Sequence, residues 1–249
     1  MKLFKLPVLN HWSYLADLVV IVLGIIIALS LDAWWQEKQD RKLERKYLIS
    51  LKVDLKADLF RISDLNDKTI RRIGHSTRIL KHLNAKIEHP TVFNIDSIYL
   101  MKSDSISQRG NLVEAISTIG KVWKLERFAP TYDELTNTGF LRLLTNDSLR
   151  LELRQYYLRI ESSIFLEEEQ SYVLWRDYHK LMQTHGINIW DWTGDEDELV
   201  IMLAKIPGLE QQIRRVRNTF YLQAAFIRQI PKRINKLITM FDDELSRNY

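Results

Sequence analysis

The chain has 249 residues, 46% hydrophobic and 27% charged, a balance that excludes an intrinsically disordered protein. Its 8 glycines and 5 prolines are too few for a turn-rich β fold and suit long helices. With no cysteine, thiolate catalysis, thiolate metal sites and disulfides are excluded, and a net charge of +4 spread among 32 acids is too dilute for specific nucleic-acid binding.

Residues 1–11 form a short basic tail with Lys2 and Lys5, punctuated by Pro7. Residues 12–35 then read as one transmembrane helix. No charge falls between Asp17 and Asp32, and nearly every residue there is Val, Ile or Leu. That core alone covers about 21 Å, short of a hydrocarbon layer of about 30 Å. The aromatic flanks complete the span: Trp12 and Tyr14 at one end, Trp34 and Trp35 at the other, about 33 Å apart and suited to two interfacial belts. A lipid bilayer is thus the first partner the sequence implies.

At 100° per residue, Asp17, Gly24, Ala28 and Trp35 fall within about 20° of one line. Gly24 and Ala28 form a small-xxx-small pair that lets two helix backbones approach closely, and Asp17 either snorkels or is protonated near the headgroups or, as acids inside spans tend to, faces a neighbour or a wet cavity. This face predicts a homo-oligomer. A cleaved leader is the competing reading, since Lys2 and Lys5 precede the apolar run and Ala28-Leu29-Ser30 resembles a cleavage site. The Trp pair and the charged helix after it favour a retained anchor. Lys38, Arg41, Lys42, Arg45 and Lys46 follow the span, so the positive-inside rule places the C-terminal domain in the cytoplasm.

The run from Asp17 to Lys38, followed by RKLERKYLISLKVDL, resembles a family of uncharacterised bacterial single-span membrane proteins. Members share an acid, an apolar run with Gly and an Ala-Leu pair, then a Trp and a Glu/Lys/Arg-rich helix. Here Asp17, Gly24, Ala28, Leu29, Trp34 and Glu37 fall in register, with Asp at the first position where Glu is commoner. The stretch from Thr131 to Tyr157 is similar to the family's second recurring segment. The resemblance implies a membrane location and an all-helical body. It implies no catalytic residues.

Residues 36–84 read as a long amphipathic helix able to continue from the span, with Leu48, Leu51, Leu55, Leu59, Ile62 and Leu65 at steps of three and four. Gly74 is the natural place for a kink. His75 and His82 read as polar positions on a solvated face, because no further ligand has metal-site spacing. Residues 85–249 form the rest of a helical bundle that packs on this helix. His89-Pro90 closes the first element, Ile95–Met101 predicts a short helix, and Ser105–Gly110 predicts a loop. Leu112–Trp123 predicts a helix weakened by Gly120.

Thr131 and Glu134 have capping-box spacing, and Gly139 is the natural stop of that helix. Asn146-Asp147 caps a long helix to about Thr184, with Glu167–Glu169 on a solvated face. Trp190 and Trp192 sit in a short loop, an edge that suits core packing or docking of a protein partner. A helix starts among Asp195–Glu198 and ends before Pro207. The last helix runs to about Leu245, kinked or broken by Pro231.

The fold expected is all-α: one N-terminal transmembrane helix followed by a bundle of long antiparallel helices. No HExxH, phosphate-loop, GxGxxG or GxSxG motif occurs, so no catalytic, cofactor or metal residues are assigned. The leading functional reading is a non-enzymatic, membrane-anchored interaction module or scaffold. An ion-conducting oligomer with Asp17 near its path, and a membrane-tethered hydrolase, are the alternatives.

Overall fold

The computed structural model describes residues 11–88, 97–108, 110–121 and 127–248. The tail over 1–10, His89-Pro90, Trp123 and the side chains of Glu167–Glu169 lie outside the described residues. Among the described residues the protein is all-α, with no strand. The helices are α1 (His11–His82), α2 (Ser97–Ser107), α3 (Leu112–Ile119), α4 (Pro130–Asn137), α5 (Asp147–Thr184), α6 (Glu196–Ala204), α7 (Leu209–Ile227) and α8 (Ile230–Asn248).

The spine is α1, an unbroken helix of 72 residues. At 1.5 Å per residue it is about 108 Å long. Its surroundings change along its length. Every residue from Asp17 to Gln39 is exposed, and burial begins at Leu43 and Glu44. Between Tyr47 and Leu65 one side is buried, as the Leu spacing predicts. From Thr69 to Leu80 every residue except Arg71 is buried, because α2, α3 and α7 close around the helix there.

Two apolar clusters follow one another along α1. In the first, Leu48, Leu51, Leu55 and Ile62 meet Leu135 of α4, Leu149, Leu153 and Tyr157 of α5, and Ile234, Leu237 and Phe241 of α8. In the second, Ile73, Ile79 and Leu80 meet Leu112 and Ile116 of α3, Tyr178 near the end of α5, Leu199 and Leu203 of α6, and Ile213 and Tyr221 of α7. Lys52 bonds Asp242 near the end of α8, so α8 runs antiparallel to α1 with its C-terminus toward the apolar segment.

Local signals explain most helix ends. Asn146 caps α5 by accepting from Leu149 N at 3.1 Å, and Asp195 caps α6 by accepting from Glu198 N at 2.7 Å. Gly139 ends the region of α4 with φ +72°, a left-handed conformation natural to glycine. Pro231 is the second residue of α8, where a missing N–H costs little, so the expected break falls between α7 and α8.

Several expectations are corrected. Residues 105–107 belong to α2, so the predicted loop starts later. The Thr131–Glu134 capping box does not form. Ala129 is the N-cap, Pro130 begins the helix, Thr131 N donates to Asp54 Oδ2 at 3.0 Å, and Glu134 accepts from Tyr47 Oη at 2.8 Å. Tertiary partners on α1 take both groups that the box would pair. His75 is buried, not solvated.

The helix also runs unbroken through Gly74, where α2 presses close. A Cβ there would lie 2.7 Å from Ser103 O and 2.7 Å from Ile106 Cγ2. The glycine serves close approach and not a break. Gly74→Val is therefore expected to lower the stability of the helical body by about 2–3 kcal/mol, as overpacking does. The thermal midpoint followed by helical circular dichroism checks this; an unchanged midpoint would contradict it.

Candidate functional site

Three features stand out: the uncovered apolar segment, a buried polar seam, and an aromatic pocket. In the apolar segment, Leu18–Trp35 carries large aliphatic side chains exposed on all sides, and none of the described residues folds over it. Monomeric soluble proteins rarely leave so large an apolar surface open. Asp17, Gly24 and Ala28 lie on the face that their spacing predicts and are all exposed; a Cβ on Gly24 would meet nothing within 4 Å. Trp34 and Trp35 are exposed, and Lys38 Nζ sits 5.1 Å from the Trp34 ring centre. The side chains of Trp12 and Tyr14 lie outside the described residues. Ser30 Oγ donates to Ile26 O at 2.7 Å, so the one hydroxyl of the apolar core is satisfied within the helix.

The polar seam lies where α1 meets α4 and α5. Glu44 accepts from Thr145 N at 2.7 Å and from Thr145 Oγ1 at 2.9 Å. Asp54 holds Thr131 N, and Asp58 Oδ2 accepts from Tyr156 Oη at 3.0 Å. Arg127 forks onto Asp133, with 3.0 Å for Nη1 to Oδ2, and its guanidinium lies 5.6 Å from the Tyr157 ring. Tyr132 stacks on Tyr157 at 4.3 Å between ring centres. Reading residues 36–84 as an amphipathic helix gives Glu44, Asp54 and Asp58 no individual role. They instead anchor the loop and helix starts of other elements, a role no local pattern announces. Buried as they are, they offer a substrate no access and read as structural.

Burial raises the Asp58 carboxyl to about 6; the Tyr156 hydrogen bond and nearby Arg61 and Arg127 pull the other way, while Asp54 adds to the rise. A folded-state pKa above the unfolded one means that the folded protein binds the extra proton. Its contribution is therefore full below about pH 4 and lost as pH rises through about 6. Burial lowers His75 below its ordinary value, which acts in the opposite sense on the acid side. Asp58→Asn keeps an acceptor for Tyr156 and should remove the first effect. Between pH 4 and 7.5, wild type should lose about 2–3 kcal/mol relative to the variant. Urea unfolding of both at the two pH values checks this, and parallel curves would contradict it.

The pocket, about 360 Å³, lies between α3, α5 and the 3-10 turn Ile189–Asp191. Tyr178, His179, Gln183, Asn188 and Trp190 line it. Asn188 caps the turn by accepting from Trp190 N, and the indole of Trp190 stands exposed at the pocket. His179 Nε2 lies 3.0 Å from Gly120 O, and Tyr178 Oη donates to Ile116 O at 3.1 Å. The structure separates the two tryptophans of this loop. Trp190 is exposed beneath Lys121, whereas Trp192 is half-buried against the second cluster. Ser117, which also lines the pocket, donates its Oγ to Glu114 O at 3.0 Å. Among the described residues no group of three or more His, Asp or Glu has metal-site geometry. His82 Nε2 lies 3.7 Å from Glu196, and His75 lies about 10 Å of helix away from His82.

No family model, curated protein or solved structure matches the chain. The functional reading therefore rests on the geometry itself.

Proposed function

We propose that the protein is a membrane-anchored helical interaction module or scaffold of the bacterial inner membrane, without enzymatic activity. The observation that carries this reading is the apolar stretch of α1, open on every side and continuous with the spine of a packed all-α body. A helix of this kind needs an apolar surrounding, and a bilayer supplies it over the required length. The cations from Lys38 to Lys46 then sit where the helix leaves the layer, and their excess favours a cytoplasmic body.

Within the layer, the Gly24 and Ala28 face packs against a second copy, since it alone offers a smooth groove for close backbone approach. The pocket beside Trp190 is the surface for a further protein partner, because an exposed tryptophan at the rim of a concavity is a common anchor for recognition.

The test is the mass of the intact complex in a mild detergent, wild type beside Gly24→Ile. Wild type is expected as a defined oligomer, and the bulky substitution should dissociate it at least about tenfold more readily, equivalent to about 1.4 kcal/mol of lost packing. A monomer in both cases would sink self-association through the span.

A further inference from the structure

The body of the protein covers only one side of α1 between Glu44 and Leu65. The opposite side carries Ile49, Val53 and Phe60, which are 47%, 61% and 78% exposed. A phenylalanine so exposed on a well-packed helical body is unusual, and these residues recur on one line. At 100° per residue, Gly24, Ala28, Trp35, Ile49, Val53 and Phe60 all fall within about 30° of a single line down α1. Beyond Lys42 and Lys46, the face proposed to meet a second copy inside the bilayer thus becomes an apolar stripe that none of the described residues covers.

We infer that this continuous face of α1 is the seat of a parallel dimer with a second copy of this chain, held by two contacts: Gly24 and Ala28 in the layer, and Ile49, Val53 and Phe60 beyond it. The inference deepens the span-packing reading and rests on it. Lipid cannot cover the outer stripe, because Phe60 lies about 37 Å of helix beyond Trp35.

Area decides between a copy and a partner of another shape. From Ile49 to Phe60 is about 17 Å, and a strip about 10 Å wide there covers only about 170 Å² per partner, far below a stable interface. From Asp17 to Phe60 is about 65 Å, which gives about 650 Å² on each side and about 1,300 Å² in total, within the range of specific interfaces. A partner must therefore follow α1 through the layer and on into solution. A second copy has a helix of the right length with the same stripe, and two-fold symmetry sets each residue of the stripe against its equivalent. An antiparallel copy would put the two bodies on opposite sides of the layer, so the arrangement is parallel. Lys42 and Lys46 lie on this face, between Trp35 and Ile49, and Lys56 lies beside it. Their long stems turn the ammonium groups out to water, and salt should strengthen the dimer by screening them.

Because the chain has no cysteine, single substitutions report the contact directly. Val53→Cys, Phe60→Cys and the control Leu151→Cys, an exposed position on α5, are placed in the full chain. Each is reconstituted in phosphatidylcholine/phosphatidylglycerol liposomes and mildly oxidised, alone and combined with Gly24→Ile. The inference expects disulfide dimers at positions 53 and 60 at least about five times those at 151, since bridging needs Cβ atoms held within a few ångströms. It also expects the cross-link to weaken with Gly24→Ile. No excess at 53 and 60, in a complex that remains an oligomer sensitive to Gly24→Ile, would overturn the outer contact and leave the span contact standing. Cross-linking that survives Gly24→Ile unchanged would retain the outer contact and overturn the span reading. A monomer without cross-links would overturn both.

Discussion

The structure depends on one unbroken backbone ladder. α1 carries its hydrogen bonds from the apolar segment into the packed body, so nothing between Trp35 and Leu43 allows the two to turn independently. Over about 12 Å the same helix passes from complete exposure to burial on one side. The cost of holding a helix this long is met at its far end, where α2, α3 and α7 surround Thr69–Leu80, and along its middle, where α4, α5 and α8 press on the leucine stripe. Any rotation or tilt of the apolar segment is thereby imposed on the body, which suits an element that conveys position and assembly more than chemistry.

The acids buried against α1 serve the same end. Glu44 and Asp54 receive donors from Thr145, just before α5, and Thr131, at the start of α4, and Asp58 receives one from Tyr156 within α5, so each neighbouring element is tied to the spine at a fixed level. Burying a carboxylate costs several kcal/mol unless its hydrogen bonds are made, and here they are made by backbone amides and a tyrosine. Packing by leucines alone would allow the helices to slide by a turn. The polar pairs specify one register, and the raised Asp58 carboxyl records what that specificity costs.

Much of this was legible in the sequence because it is local. The leucine period, the Asn146 cap, the left-handed Gly139, the end of α5 near Thr184 and the break at Pro231 all arise from near neighbours in the chain, and the structure has each of them. What could not be read is what distant contacts decide. Gly74 looks like a helix breaker and is instead a point of close approach to α2. Thr131 and Glu134 have capping-box spacing, yet Asp54 and Tyr47 claim both groups from across the seam. His75 has the polarity of a surface residue and is enclosed because three helices converge there. Trp190 and Trp192 are indistinguishable in sequence, and only the 3-10 turn sends one outward and the other onto the core. The exposed stripe at Ile49, Val53 and Phe60 was hidden for the converse reason. Apolar residues on a helix in a bundle are assumed to be covered until the other elements are seen to lie elsewhere.

The central claim is that the apolar segment and the body share one rigid helix. The most direct measurement is the distance between spin labels on Ala33→Cys and Ser63→Cys in the otherwise cysteine-free chain, reconstituted in nanodiscs and diluted with unlabelled protein. Both positions are exposed and bracket the junction. Thirty residues of unbroken helix predict a single narrow distribution centred near 45 Å, about 1.5 Å per residue. A broad distribution, or a centre well short of that, would mean that the helix breaks at the junction, and the mechanical coupling argued from it would be wrong.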